Sequence, residues 1–232
     1  MTPAELYADV RLRISDLVRD LPEERLRTVV PGCPEWTVHD VVAHATGVVA
    51  DVNARNLDGA ATDEWTSAQV DLRKDTPTAD VLDEWAREAA TFEPRLNDLP
   101  KAISRTLLID LVTHEHDVRG ALGAPGGTDS EAYEIARKGF AVGLAKALEE
   151  RGLAGLRLEA PDWQFDAGPE PRHTVRAPDS YEFFRGLAGR RGMPQVLAWE
   201  WETDPEPYLP VVNHFGPLPE DAVAEAGAPQ PA

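Results

Sequence analysis

Thr106-Leu-Leu-Ile-Asp110-Leu-Val-Thr-His114-Glu115-His116-Asp117-Val-Arg119 reads as an amphipathic helix, and its apolar stripe decides the fold. Leu107, Leu111, Val118 and Leu122 recur at helical spacing. Asp110 and His114 fall within that stripe four residues apart, so their side chains share one face. A buried carboxylate and imidazole are costly unless they are paired or bind a metal. His44 sits in the same way on an earlier helical segment. The three residues suggest a metal inside a helix bundle. The Asp110–His114 spacing also suits a plain helix-face hydrogen bond, and His44 suits a core histidine bonded to a backbone carbonyl. Spacing alone leaves these readings open.

Working outward, the first half is helical. Leu6, Val10, Ile14 and Leu17 mark one helix, which stops before Leu21-Pro22. Pro31-Gly-Cys-Pro34 is a turn. Thr37 is placed as an N-cap with Asp40 three residues on, ahead of a helix carrying Val41, Ala45, Val48 and Val52. Asn56 to Pro77 is polar and reads as an irregular connection. Val81, Leu82, Trp85, Ala89 and Phe92 form the face of a third helix. The helix of Asp110 and His114 ends near Gly120 or Gly123, and another runs from about Asp129 to Glu150.

The pattern changes after Gly152. Leu156–Ala160 and His173–Ala177 alternate at period two, and Trp163-Gln-Phe165 fits a strand between them. A helix follows Ser180, Val196–Trp201 returns to strand chemistry, and Pro207 to His214 is a short last helix. The expected fold is mainly α: a four-helix bundle over residues 1–152, a small α+β domain over 153–219, and a disordered tail over 220–232 rich in Ala, Pro, Gly and Glu.

The formal net charge is −18, with 23 basic against 41 acidic residues. Such a surface repels phosphate backbones and anionic lipid, so nucleic acid and membranes are not expected as partners. No apolar run approaches the roughly 18 residues of a membrane span, and the N-terminus lacks the features of a secretory signal. The expected location is cytoplasmic. The single cysteine, Cys33, permits no intramolecular disulfide and reads as a packing residue at a helix entry.

The remaining polar residues near the stripe divide as follows. His116 lies roughly 200° around the helix from His114, away from any shared ion. Asp117, three residues after His114, can orient a ligand histidine or pair with Arg119. Glu115 and His39 are expected at the surface. Arg190 and Arg191, after a helix end, are candidates to hold a substrate carboxylate, and a helix C-terminus also favours cations on dipole grounds alone.

Two segments carry a family resemblance. Cys33-Pro-Glu-Trp-Thr-Val-His-Asp-Val-Val-Ala-His44 resembles the opening motif of the mycothiol-dependent maleylpyruvate isomerase family, in which a Pro-x-Trp-Thr-Val turn leads a helix ending in the first metal histidine. Asp110-Leu-Val-Thr-His114-Glu-His-Asp-Val-Arg-Gly-Ala-Leu-Gly123 resembles its second motif. Asp179-Ser-Tyr-Glu-Phe-Phe-Arg-Gly-Leu-Ala-Gly-Arg-Arg191 is similar to the family's small C-terminal domain. The family belongs to the DinB-like group of metal-binding helix bundles. The resemblance implies a divalent metal, usually zinc, on His44, Asp110 and His114. Relatives often carry glutamate or histidine at the third position, where this chain has the shorter aspartate.

The resemblance also implies a cosubstrate, mycothiol or another low-molecular-weight thiol, and a small electrophilic metabolite as substrate. Addition of the thiol followed by its release gives isomerisation, and its retention gives an S-conjugate, so isomerase and transferase activities both fit. Two other readings compete: a thiol-independent Lewis-acid enzyme of specialised metabolism, and a non-catalytic DinB-like stress or binding module with a structural metal.

Overall fold

The computed structural model describes residues 1–226, which form two compact units meeting in sequence at Gly127/Thr128. In the first unit, α1 (Pro3–Val18) starts at a full capping box: Thr2 accepts from the Glu5 amide while the Glu5 carboxylate accepts from the Thr2 amide. A short α2 (Glu23–Leu26) leads into an antiparallel hairpin of β1 (Val29–Val30) and β2 (Cys33–Thr37). The expected Pro31–Pro34 turn is therefore the tip of a hairpin. Then come α3 (Val38–Ala54), α4 (Asp63–Arg73), α5 (Thr78–Arg95) and α6 (Lys101–Leu122).

α1 and α3 each pack against both α5 and α6, which closes a four-helix bundle. Val10, Ile14, Val42, Val49, Trp85, Phe92, Val112 and Val118 are fully or almost fully buried in it. Tyr7 meets Phe92 edge to face at 5.0 Å. α6 begins after Pro100 and ends at Gly123, whose φ of 64° is a left-handed cap that glycine takes without strain. From Leu111 to Val118 every residue of α6 is buried, so this segment runs through the interior with no solvent face.

The segment from Asn56 to Pro77, which the sequence presents as an irregular connection, contains α4. Thr62 caps it by accepting from the Trp65 amide, and Asp63 and Glu64 fill its first turn. It buries only Gln69 and Arg73, two polar residues, so it leaves no apolar stripe in the sequence.

In the second unit, α7 (Glu131–Glu150) precedes β3 (Gly155–Ala160), β4 (Trp163–Ala167) and β5 (Arg172–Arg176). These are followed by α8 (Ser180–Leu187), α9 (Met193–Leu197), β6 (Glu200–Trp201) and α10 (Leu209–Val212). The sheet order is β4-β3-β5-β6, with β3 and β5 parallel and the other pairs antiparallel. Leu156, Leu158 and Val175 point to one buried face, on which α7 and α8 pack.

Three departures from the sequence reading are the largest, beside a last helix that shortens from Pro207–His214 to Leu209–Val212. The division between units falls before α7, not after Gly152, because α7 packs on α8 and the sheet. The Val196–Trp201 strand shrinks to Glu200–Trp201, since Gly192 and Pro194 start α9 and the Trp201 indole donates to the Val196 carbonyl. The expected tail is ordered as far as it is described. Glu225 is buried and reaches the guanidinium groups of Arg185 and Arg191. Residues 227–232 of that expected tail lie outside the described residues. Among the described residues no helix is long and apolar enough to cross a membrane.

Candidate metal centre

α3 and α6 bring His44, Asp110 and His114 together within the first unit. Each offers one ligand atom, and the three atoms lie within 4.8 Å of one another. Thr37 sets the start of α3 as the sequence indicated: it accepts from the Asp40 amide, and the Asp40 carboxylate accepts from the Thr37 amide. That cap fixes the turn on which His44 falls. On α6 the four-residue spacing puts Asp110 Oδ1 3.6 Å from His114 Nε2. The shorter aspartate therefore does reach the imidazoles.

Both histidines are buried, whereas the Asp110 side chain is 44% exposed, so the cluster is closed at the imidazoles and open at the carboxylate. The rings of His44 and His114 meet edge to face at 5.0 Å. Trp36, from β2, lies against both, at 5.0 Å from His44 and 5.8 Å from His114. Burial, and secondarily the neighbouring His114, pushes the His44 pKa down to about 4. His44 is then a neutral imidazole at physiological pH, the form that ligates metals.

The outer nitrogens are held. His114 Nδ1 donates to Asp117 Oδ2 at 3.2 Å, and the Cys33 thiol donates to the same oxygen at 3.6 Å. Of the two partners considered for Asp117, it meets His114, while Arg119 pairs with Glu115. His44 Nδ1 bonds Gln69 Oε1 at 2.8 Å. Sequence reasoning missed Gln69, because α4 was not seen, and it missed the contact of Trp36 with the imidazoles. The one signal for Gln69 was the Thr62-Asp-Glu opening, a helix-start pattern.

Several other expectations are corrected. Glu115 is not solvated: it is fully buried, bound by both nitrogens of the Arg13 fork at 2.8 and 2.6 Å and by Arg119. His39 is not at the surface: it bonds Thr78 Oγ1 at 2.7 Å and the Arg73 carbonyl at 3.1 Å. His116, by contrast, stays outside the three-residue cluster as its position around the helix indicated, and it is buried. Arg191, offered as a carboxylate anchor, is 1% exposed and already forks onto Glu182, with Glu225 on its other nitrogen. Arg190 donates to the Ala188 carbonyl and lies over the Phe215 ring.

The donor set fits a divalent metal. Imidazole nitrogens and a carboxylate are the donor types that zinc and its first-row neighbours take. Donors roughly 2.1 Å from one ion stand up to about 4.2 Å apart, which accommodates the 3.6 Å pair directly. Three protein ligands on one ion would leave a coordination position open.

Residues 7–108 match the family model of the mycothiol maleylpyruvate isomerase N-terminal domain. The match includes His44 and ends just short of Asp110. The crystal structure of the mycothiol-dependent maleylpyruvate isomerase is similar at a TM-score of 0.57 and 14% identity, covering 81% of this chain and 88% of that chain. A histidine-to-alanine mutant of that isomerase is similar at a TM-score of 0.56 with the same identity and coverage. No curated protein matches the chain. The family resemblance is borne out over residues 7–108, which hold the first motif, and at this identity the structural likeness speaks to the fold.

Proposed function

We propose that this chain, whose residues 7–108 match the mycothiol maleylpyruvate isomerase N-terminal domain, is a metal-dependent enzyme. It uses mycothiol or a similar low-molecular-weight thiol to isomerise or conjugate a small electrophilic metabolite. The convergence of His44, Asp110 and His114 on one point, with a single carboxylate edge exposed, carries the reading.

In this reading His44, Asp110 and His114 hold the ion. A divalent metal there would supply Lewis acidity, favouring the thiolate form of a thiol whose unperturbed pKa is about 8.5. The chain's own groups do the rest. Asp117 holds the His114 ring by its Nδ1 proton, keeping Nε2 turned inward. Trp36 covers both imidazoles and keeps water from that side of the pair. The exposed edge at Asp110 is the route by which thiol and electrophile enter. No arginine in the first unit is assigned to the substrate.

The test is elemental analysis of purified protein, followed by turnover of maleylpyruvate and of a generic electrophile with and without mycothiol. Stoichiometric metal and thiol-dependent turnover are expected. Turnover that ignores the thiol would favour a Lewis-acid enzyme acting alone. Metal without turnover of any electrophile would favour the binding module.

A further inference from the structure

We infer that Gln69 and Asp51 form a relay that fixes the tautomer of His44, and that Gly47 exists in α3 to let this relay close. The inference rests on the reading of His44 as a metal ligand and names what prepares it.

An ionised carboxylate has no proton to give. Asp51 Oδ2 is 2.7 Å from Gln69 Nε2, and Asp51 Oδ1 accepts from Asn56 Nδ2 at 2.9 Å. With both oxygens engaged as acceptors, Asp51 requires the amide nitrogen of Gln69 on its own side. The Gln69 carbonyl must then face His44, at 2.8 Å from Nδ1. A carbonyl only accepts, so His44 must carry its proton on Nδ1 and keep the Nε2 lone pair for an ion. Were the amide reversed, its NH₂ would face Nδ1, the proton would move to Nε2, and the ligand would be blocked.

The two histidines are thus set by different means. His114 leans directly on a carboxylate, Asp117, whereas His44 leans on a neutral amide that is itself aligned by a carboxylate one step away. Gln69 is 3% exposed, and its helix contributes no apolar side chain to the core, so α4 is placed to deliver this amide and Arg73.

The delivery depends on close approach. A Cβ at Gly47 would stand 2.4 Å from Gln69 Cβ, 2.6 Å from its Cγ and 3.1 Å from Arg73 Nη1. Glycine in the middle of a helix is unfavourable relative to alanine. Here it removes the obstacle between α3 and the stem of Gln69, on the turn after His44.

The test uses full-length protein stripped of metal, wild type beside Gln69→Leu, Asp51→Ala and Gly47→Ala, with helix content checked by circular dichroism. Two-dimensional NMR correlating ring nitrogens with carbon-bound protons reads the His44 tautomer at neutral pH. The expected result is Nδ1–H in wild type and a substantial Nε2–H population in Gln69→Leu and Asp51→Ala, with His114 unchanged. Zinc affinity by chelator competition should fall about 10–100-fold in Gln69→Leu. Gly47→Ala should shift the tautomer in the same direction. An unchanged His44 tautomer in both folded Gln69→Leu and Asp51→Ala overturns the relay. If the tautomer shifts but wild type binds no zinc, the relay stands and the metal reading falls.

Discussion

The imidazoles of His44 and His114 meet edge to face with centroids 5.0 Å apart, although they come from different helices. Two buried imidazole rings gain little from this approach that a leucine pair would not, and each brings a polar nitrogen that must be satisfied. The juxtaposition makes physical sense when both nitrogens serve one cation. His44→Ala and His114→Ala are therefore each expected to lose stoichiometric metal on elemental analysis while remaining folded by circular dichroism. Retention of full metal by either would remove that residue from the site.

Asp117 is expected to act on metal affinity through His114. It is 1% exposed on α6 and accepts the His114 Nδ1 proton. Asp117→Ala frees that ring to rotate and exchange its proton between nitrogens. The loss in zinc affinity should be about 10–100-fold, the usual scale for a residue that orients a ligand histidine. Chelator competition measures it. A Cys33→Ser variant should leave affinity close to wild type, since the thiol only adds a longer contact to the same Asp117 oxygen.

Where the sequence was legible, a local rule and the tertiary environment agreed. Thr37 and Asp40 announce the start of α3 by a cap that needs no partner beyond the next turn. Val81, Leu82, Trp85, Ala89 and Phe92 announce α5 by periodicity, and all are buried. The misses share a different cause, a partner distant in sequence. Glu115 looks solvated until Arg13 arrives from α1. His39 looks exposed until α4 and α5 supply Arg73 and Thr78. Gln69 sits on a helix with no apolar stripe, so only the Thr62 cap marks that helix and nothing local marks the contact with His44. Asp110 and His114, by contrast, share one turn, and their pairing is visible in the spacing alone.

The metal-free protein should lose stability on mild acidification through His44. Burial lowers its folded pKa to about 4 from the unfolded value near 6.5. Between these values the unfolded chain binds the proton and the folded chain does not, so stability falls as pH falls. The slope contributed by this one residue is about 1.4 kcal/mol per pH unit. The stabilisation is complete above about pH 6.5 and is exhausted near pH 4. Urea unfolding of chelator-treated wild type and His44→Phe across this range measures it. The variant should show a shallower dependence, and equal slopes would contradict a buried neutral His44.

Glu225 should be a large single contributor to the second unit's stability despite lying in a stretch of Ala, Pro, Gly and Glu that reads as tail. Arg185 and Arg191 are 0% and 1% exposed, and both reach the Glu225 carboxylate, Arg191 at 3.0 Å. Arg191 keeps Glu182 as a second acid, at 2.7 Å. Removing Glu225 leaves two buried guanidinium groups in one place with less negative charge to offset them. Breaking a buried pair from one side costs about 3–5 kcal/mol, because the remaining charge cannot return to water. Glu225→Ala is therefore expected to lower the urea midpoint substantially, and Glu220→Ala, at an exposed position five residues earlier, to leave it within about 0.5 kcal/mol. An Arg185→Met, Glu225→Leu double variant should recover part of the loss, since apolar groups of similar volume need no partner. If Glu225→Ala unfolds at the wild-type midpoint, the ion pair does not hold the segment in solution.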